Sequence, residues 1–407
     1  MPWTLRRSPR LCAGLPLLLL TACPGGGGED AAGDEVGESG DSEDTEGSES
    51  ESESESGSSS SSDSESDTDT DTSSETATDT ESSSETDTES ESSTETDTDT
   101  DTESGSETDT GTDTDTPFEC DPVEPPVPPV DCADAGILLT DEFAPFYECF
   151  DLGSLPTVPS NWGGLTVKID DPNVLLIGGS ANTANGQLYS VEITRDEGCH
   201  VTGWAGTPIE PFAEAAFNDG GVTYGPDDVL FLARWPNNEL GQQALGSVTT
   251  DKIIDLDTFM ITPSPGGLNF VPPGFAGEGQ LKLVSWSGGE WYTLELAPDG
   301  NGLFDIVSAT LETQIVGGPE GFVHIGADNP GFPVDGLLVS EYSAGTLAAY
   351  DADDNGDPVV DSRRDFVTGL TGAEGAYLDA LSGDFLFTTF GGGNRLIAIR
   401  GFTPNPQ

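Results

Sequence analysis

The feature that most limits what this chain can fold into is a repeat. A Gly-apolar-x-apolar start recurs as GLTV at Gly164, GVTY at Gly221, GLNF at Gly267, GFVH at Gly321 and GAYL at Gly375, at intervals of about 46 to 57 residues. Each start is followed by a second apolar run: VLLIGGS, VLFLARW, LKLVSWS, LLVSEYS and FLFTTFG. Four of the five modules show a plain third run, GQLYSVEI, GEWYTLEL, GTLAAYDA and NRLIAIRG, whereas the second carries the less regular insert RWPNNELGQQALGSVTTDKIIDL. Turn-forming residues (RDEG, PDGNG, DDNGD) precede a fourth, weaker run. A four-stranded antiparallel unit repeated at this spacing predicts an all-β fold, a β-propeller of five visible four-stranded blades. A β-sandwich or β-helix suits the intervals poorly, and a degenerate sixth blade within residues 131–163 is left open. The last module stops after its third strand near Phe402, so the ring is expected to close with an N-terminal strand from residues 145–152, PFYECFDL.

The rest of the chain divides by composition. Residues 1–22 combine three arginines with the short apolar run LCAGLPLLLL, too short for a spanning helix and of the length of a secretory signal. The tetrad Leu20-Thr21-Ala22-Cys23 looks like a bacterial lipobox. That resemblance implies cleavage before Cys23 and a diacylglycerol on its thiol, which would fix the chain to a membrane without a protein helix. Residues 23–116 form a Ser/Thr/Asp/Glu-rich stretch holding about 34 of the chain's 76 acidic residues and no Lys or Arg. Such a segment buries too little apolar surface to offset its ordering entropy, and is expected to be a disordered stalk. Residues 117–131 contain VEPPVPPVD, a stiff proline-rich collar, and residues 132–407 hold the propeller. The net charge of −64 argues against nucleic acid as a partner.

Cys12 leaves with the signal, so Cys120, Cys132, Cys149 and Cys199 remain beside Cys23, and an even number in an exported chain points to two disulfides. Short-range pairing gives Cys120–Cys132 and Cys149–Cys199. Zinc is the rival reading, weakened by the lack of any C-x-x-C pair and by a total of 2 histidines.

Modules four and five, PEGFVHIG through GLTGAEGAYLDALSGDFLFTTFGGGNRLIAIRGF, resemble propeller domains of secreted or surface-anchored bacterial proteins, many of unassigned function. A lipobox followed by an acidic Ser/Thr stalk is similar to surface lipoproteins of myxobacteria and related groups. These resemblances imply a cell-envelope protein held at the outer membrane or cell surface through its lipid. More distantly, the Glu-Gly pairs at strand entrances are similar to gluconolactonase and regucalcin-type propellers, in which a glutamate at this position binds a divalent cation at the channel mouth. By that resemblance Glu320 and Glu374 are candidate ligands, with His324 on the same strand as Glu320, and a metal-dependent lactonase or esterase activity is implied. The aligned positions in the other modules are Gly163, Gly220 and Gly266, which supply no ligand.

Independently, Asp351, Asp353 and Asn355 with Gly356 are spaced as in a calcium loop, although the twelfth position is Ser362 rather than glutamate and a plain hairpin turn explains the same residues. Calcium is thus the cofactor to consider. Trp162, Trp204, Trp235, Trp286 and Trp291 would serve either as a carbohydrate-binding rim or as packing between blades. No nucleophile elbow or phosphate loop is present, and His200 and His324 lie in different modules. The residues favour a binding or interaction module, with a glycan or protein ligand, over an enzyme; a structural coat protein is the third reading.

Overall fold

The computed structural model describes Cys120 and residues 122–206 and 209–406. The expected signal, Cys23 and the acidic stalk lie outside the described residues. Five antiparallel sheets make five blades, and helix is confined to four short 3-10 turns among the described residues.

Each blade runs from an inner strand outward. Blade one comprises Leu165–Lys168, Asp171–Gly179, Gln187–Arg195 and Val201–Trp204, with Glu210–Glu214 also pairing on the third strand. Blade two is Asn218–Tyr224, Leu230–Arg234, Glu239–Gln243 and Lys252–Asp255, so the irregular insert supplies its third and fourth strands. Blade three is Pro265–Phe270, Leu281–Ser285, Glu290–Pro298 and Phe304–Gln314, and blade four is Pro319–Ile325, Gly336–Glu341, Thr346–Asp351 and Arg364–Thr368. Blade five takes Ala373–Leu378, Phe385–Thr389 and Leu396–Arg400 from the end of the chain and Glu148–Gly153 from its N-terminal side. The ring therefore closes within one blade through the expected N-terminal strand, with Ala398 opposite Phe150. Residues 131–163 make no sixth blade; Leu138–Leu139 extends blade four and Val130–Asp131 extends blade five.

The second strands are buried on both faces because each lies between two neighbouring blades. In Gly336–Glu341, Leu338 packs toward blade five while Leu337 and Val339 pack toward blade three, the period-two alternation of a strand applied to two cores at once. Five apolar clusters result, one per blade interface: Phe366 and Phe387 between blades four and five, Leu165 and Leu386 between five and one, Val222 and Leu188 between one and two, Phe231 and Leu283 between two and three, and Trp291 and Phe322 between three and four. This accounts for the near-continuous apolar runs in the sequence.

The glycine that opens each repeat marks where inner strands touch around the axis. A Cβ on Gly164 would lie 2.7 Å from Gly220 O, one on Gly221 2.6 Å from Leu268 N, one on Gly321 2.7 Å from Gly375 C, and one on Gly375 2.7 Å from Gly164 Cα; one on Gly267 would collide with Glu320 O. These contacts run round the ring and return to their start. They form a collar of backbone against backbone, and no side chain fits within it.

The disulfides are Cys120–Cys199 and Cys132–Cys149, which corrects the short-range pairing. Strand register explains the second: Val130 faces Asp151 and Asp131 faces Phe150, so the next antiparallel step sets Cys132 beside Cys149. For the first, the proline collar crosses blade one before reaching that edge, and Val123 N–H donates to Arg195 O near the turn that holds Cys199.

Candidate cation site at the channel mouth

Just before the collar, three inner strands place a carboxylate at the mouth of the channel: Asp219 in blade two, Glu320 in blade four and Glu374 in blade five. One oxygen from each lies within 4.8 Å of the others. A register shift sits at this point in each strand, between Pro319 and Phe322, between Ala373 and Ala376, and opposite Leu232 to Arg234 in blade two. Such bulges turn a side chain out of the strand's alternation, here toward the axis.

Backbone bonding shows that these three residues are structural equivalents. In four blades the residue directly after the second strand donates its N–H to the carbonyl two residues before the mouth position, Trp235 to Phe217, Trp286 to Ser264, Tyr342 to Gly318 and Phe390 to Gly372; in blade one the second residue after the strand does so, Ala181 to Asn161. Counting two forward gives Asp219, Gly266, Glu320, Glu374 and Gly163. Gly220, taken from the sequence as the aligned position, is an inserted residue between Asp219 and collar glycine Gly221, and it hid Asp219. The glycines have a positive role here. A Cβ on Gly220 or Gly266 would come within 2.8 Å or 2.6 Å of Glu320 Oε2, so their bareness is the space into which that carboxylate reaches.

The three acids are 2–4% exposed. Burial pushes Asp219 up to about 7, against hydrogen bonds from Glu374, Asn182 and the Gly220 N–H that favour its ionised form. Burial, then the charge of Asp219, raises Glu320 well above the usual carboxylate range; burial, then the charges of Glu320 and Asp219 and the hydrogen bond to Asp219, does the same for Glu374. Glu320 Oε2 has no hydrogen-bond partner. The acids open into a cavity of about 220 Å³, lined further by Asn182, Trp235, Ser264, Trp286, Tyr342 and Phe390. No Lys, Arg or His is among these residues. A group of hard oxygen donors without a counter-charge is the chemistry that admits calcium.

Of the candidates read from the sequence, Glu320 and Glu374 come together and the others do not join them. His324 lies four residues farther along the strand, roughly 13 Å by strand rise and past the collar. It is buried against Phe275 and Phe322 with Nε2 3.0 Å from Gly356 O, and burial holds it neutral, lowered to about 4. Asp351 pairs with Arg364, and Asp353 Oδ1 accepts the N–H groups of Asn355 and Asp357 in a hairpin turn. His200 Nδ1 meets Asp384 Oδ1 at 2.7 Å, and neither lines the mouth cavity. Trp162, Trp204 and Trp291 are core, whereas Trp235 and Trp286 line the cavity.

No family model matches the chain, and no curated protein matches it. Solved propellers do align. A Carbohydrate-Active Enzymes Family AA12 protein of Trichoderma reesei aligns at 10% identity over 69% of this chain and 100% of its own, with a TM-score of 0.37. A putative gluconolactonase aligns at 15% identity over 66% of this chain and 88% of its own, with a TM-score of 0.36. Streptogramin B lyase aligns at 10% identity over 64% and 99%, with a TM-score of 0.33. At these values the likenesses carry no argument; the fold rests on the sheets described above and the chemistry of the mouth on its own residues.

Proposed function

We propose that this protein is a calcium-dependent binding module of the cell envelope. In this reading Cys23 carries the lipid anchor at the outer membrane or cell surface, the acidic stretch holds the propeller away from it, and Asp219, Glu320 and Glu374 hold the ion that organises the ligand site. The observation that carries the proposal is the convergence of three buried carboxylates, one with an unpartnered oxygen, on a cavity whose lining offers no positive charge. Without a cation the cluster must retain protons; a divalent ion with flexible, oxygen-rich coordination would replace them, and Asn182 lies at hand as a neutral oxygen donor.

The same ion would lend a hydrolase its Lewis acid. Binding is favoured because, among the described residues that line the cavity, the titratable groups apart from Tyr342 are the carboxylates that hold the ion, and both histidines bond elsewhere. Melting of the full chain with calcium and with chelator tests the proposal. Calcium should raise the melting temperature, and Glu320→Gln combined with Glu374→Gln should abolish the rise. A melting curve that ignores calcium would remove the basis for the reading.

A further inference from the structure

Four of the five blades put an aromatic side chain at one equivalent place on the rim. Trp235, Trp286, Tyr342 and Phe390 each follow the second strand of their blade and each is pinned by the same backbone hydrogen bond; blade one has Ala181 there. All four rings are half-buried and line the cavity above the acids. Three form a continuous wall: Trp286 and Tyr342 are 6.2 Å apart at 79°, and Tyr342 and Phe390 6.1 Å apart at 71°. Core packing does not require this, since each interface already has its own apolar cluster and none includes these residues.

The polar atoms in the wall are unspent. Trp286 Nε1 has no acceptor, and neither does the hydroxyl of Ser264, a residue 5% exposed. Burial and the charges of Glu374, Glu320 and Asp219 raise the Tyr342 phenol, which keeps it a neutral donor. A ligand that satisfies this site needs an apolar face for the rings, hydroxyl groups for the donors, and oxygens that can join the ion's coordination. It also needs to be uncharged or nearly so. Three carboxylates against one divalent ion leave the floor net negative, the lining has no basic side chain, and the chain as a whole carries −64, so an anionic ligand is repelled at long and short range.

We infer that the cavity binds the terminal residue of a neutral glycan, with a vicinal pair of hydroxyls on the cation and one ring face against the aromatic wall. The cavity of about 220 Å³ has room for one such ring. This inference rests on the calcium reading above.

The test is tryptophan fluorescence of the calcium-loaded full chain titrated with methyl glycosides of glucose, galactose, mannose, fucose and N-acetylglucosamine, and with glucuronate and butylammonium. At least one neutral glycoside should shift the emission saturably, only with calcium present, and glucuronate should not. Trp286→Phe, which keeps a ring and removes the N–H, should weaken that glycoside about fivefold, the worth of one hydrogen bond. Trp286→Ala should weaken it further, and both variants should bind calcium as the parent does. If calcium binds but no neutral glycoside does, or glucuronate or butylammonium binds better, the glycan inference falls and the calcium site stands. If calcium itself fails to bind, both fall.

Discussion

At the residue scale, the mouth of the channel is a problem of charge. Asp219, Glu320 and Glu374 are each too buried to ionise cheaply and too close to ionise together, so their affinity for a cation depends on how many protons the ion must displace. Calcium affinity should fall as pH drops from 8 through about 7, where Asp219 titrates, and Asp219→Asn should flatten that profile as well as weaken binding; titrations at several pH values check both. Stability of the cation-free protein should run with the opposite sign to ordinary acid denaturation. A carboxyl whose folded value is raised holds its proton in the native state after the unfolded chain has released it. The native state therefore loses stability as pH rises from about 4 through the raised values. His200, raised chiefly by its hydrogen bond to Asp384, adds stability at low pH that is likewise lost as pH rises through its folded value. Calcium separates the two contributions: it should restore the loss due to the mouth acids and leave that of His200. Melting temperatures from pH 5 to 8, with and without calcium, measure this. Glu320 and Glu374 were legible in the sequence because each stands directly before a collar glycine. Asp219 was not, because Gly220 shifts it by one residue; an Asp before a doubled glycine was the available signal. The aromatic wall was also readable, as the ring that ends ARW, SW, EY and TTF, but only once the second strands were aligned on their last residue.

At the element scale, the repeated Gly-apolar start is a packing requirement. Gly267 and Gly375 have no room for a Cβ, and what they would strike is backbone, which cannot rotate away. Gly375→Ala should cost about 1–3 kcal/mol in denaturant unfolding through forced overpacking, and should weaken calcium by moving the adjacent Glu374. Strand existence was legible wherever apolar runs alternated between two cores. The insert of blade two was not, since Glu239–Gln243 carries two glutamines on buried positions: Gln242 Nε2 donates to Phe304 O and Gln243 Nε2 to Glu214 O, so polar side chains do there what apolar ones do elsewhere. Disulfide pairing was out of reach for a different reason. Cysteine spacing says nothing about which strand the proline collar runs beside, and the register of Val130 and Asp131 on the closing strand decides it.

At the scale of the whole molecule, closure joins the two ends of the ring in one blade. Glu148–Gly153 completes blade five, and the two disulfides tie the segment before it to blade one and to that closing strand. Tension arriving through residues before Cys120 therefore meets a covalent link to blade one before it can reach the closing strand. Replacing Cys120 and Cys199 by serine should lower the unfolding free energy by about 2–5 kcal/mol in denaturant titration while leaving calcium affinity unchanged, because the bridge and the mouth share no residues. The fold was legible as a five-bladed ring because the repeat length fixes four strands per module and the missing last strand called for an N-terminal one; of the three mouth acids, Asp219 was not, because its place follows from the hydrogen bonds within its blade and not from its distance to the glycine. The central claim is that this mouth is a cation site, and calorimetric titration of calcium into the full chain, in two buffers of different ionisation heat, addresses it most directly. One ion should bind per chain with release of protons, and both should be lost in the Glu320→Gln/Glu374→Gln variant. Absence of binding heat, or binding that survives in that variant, would contradict that claim.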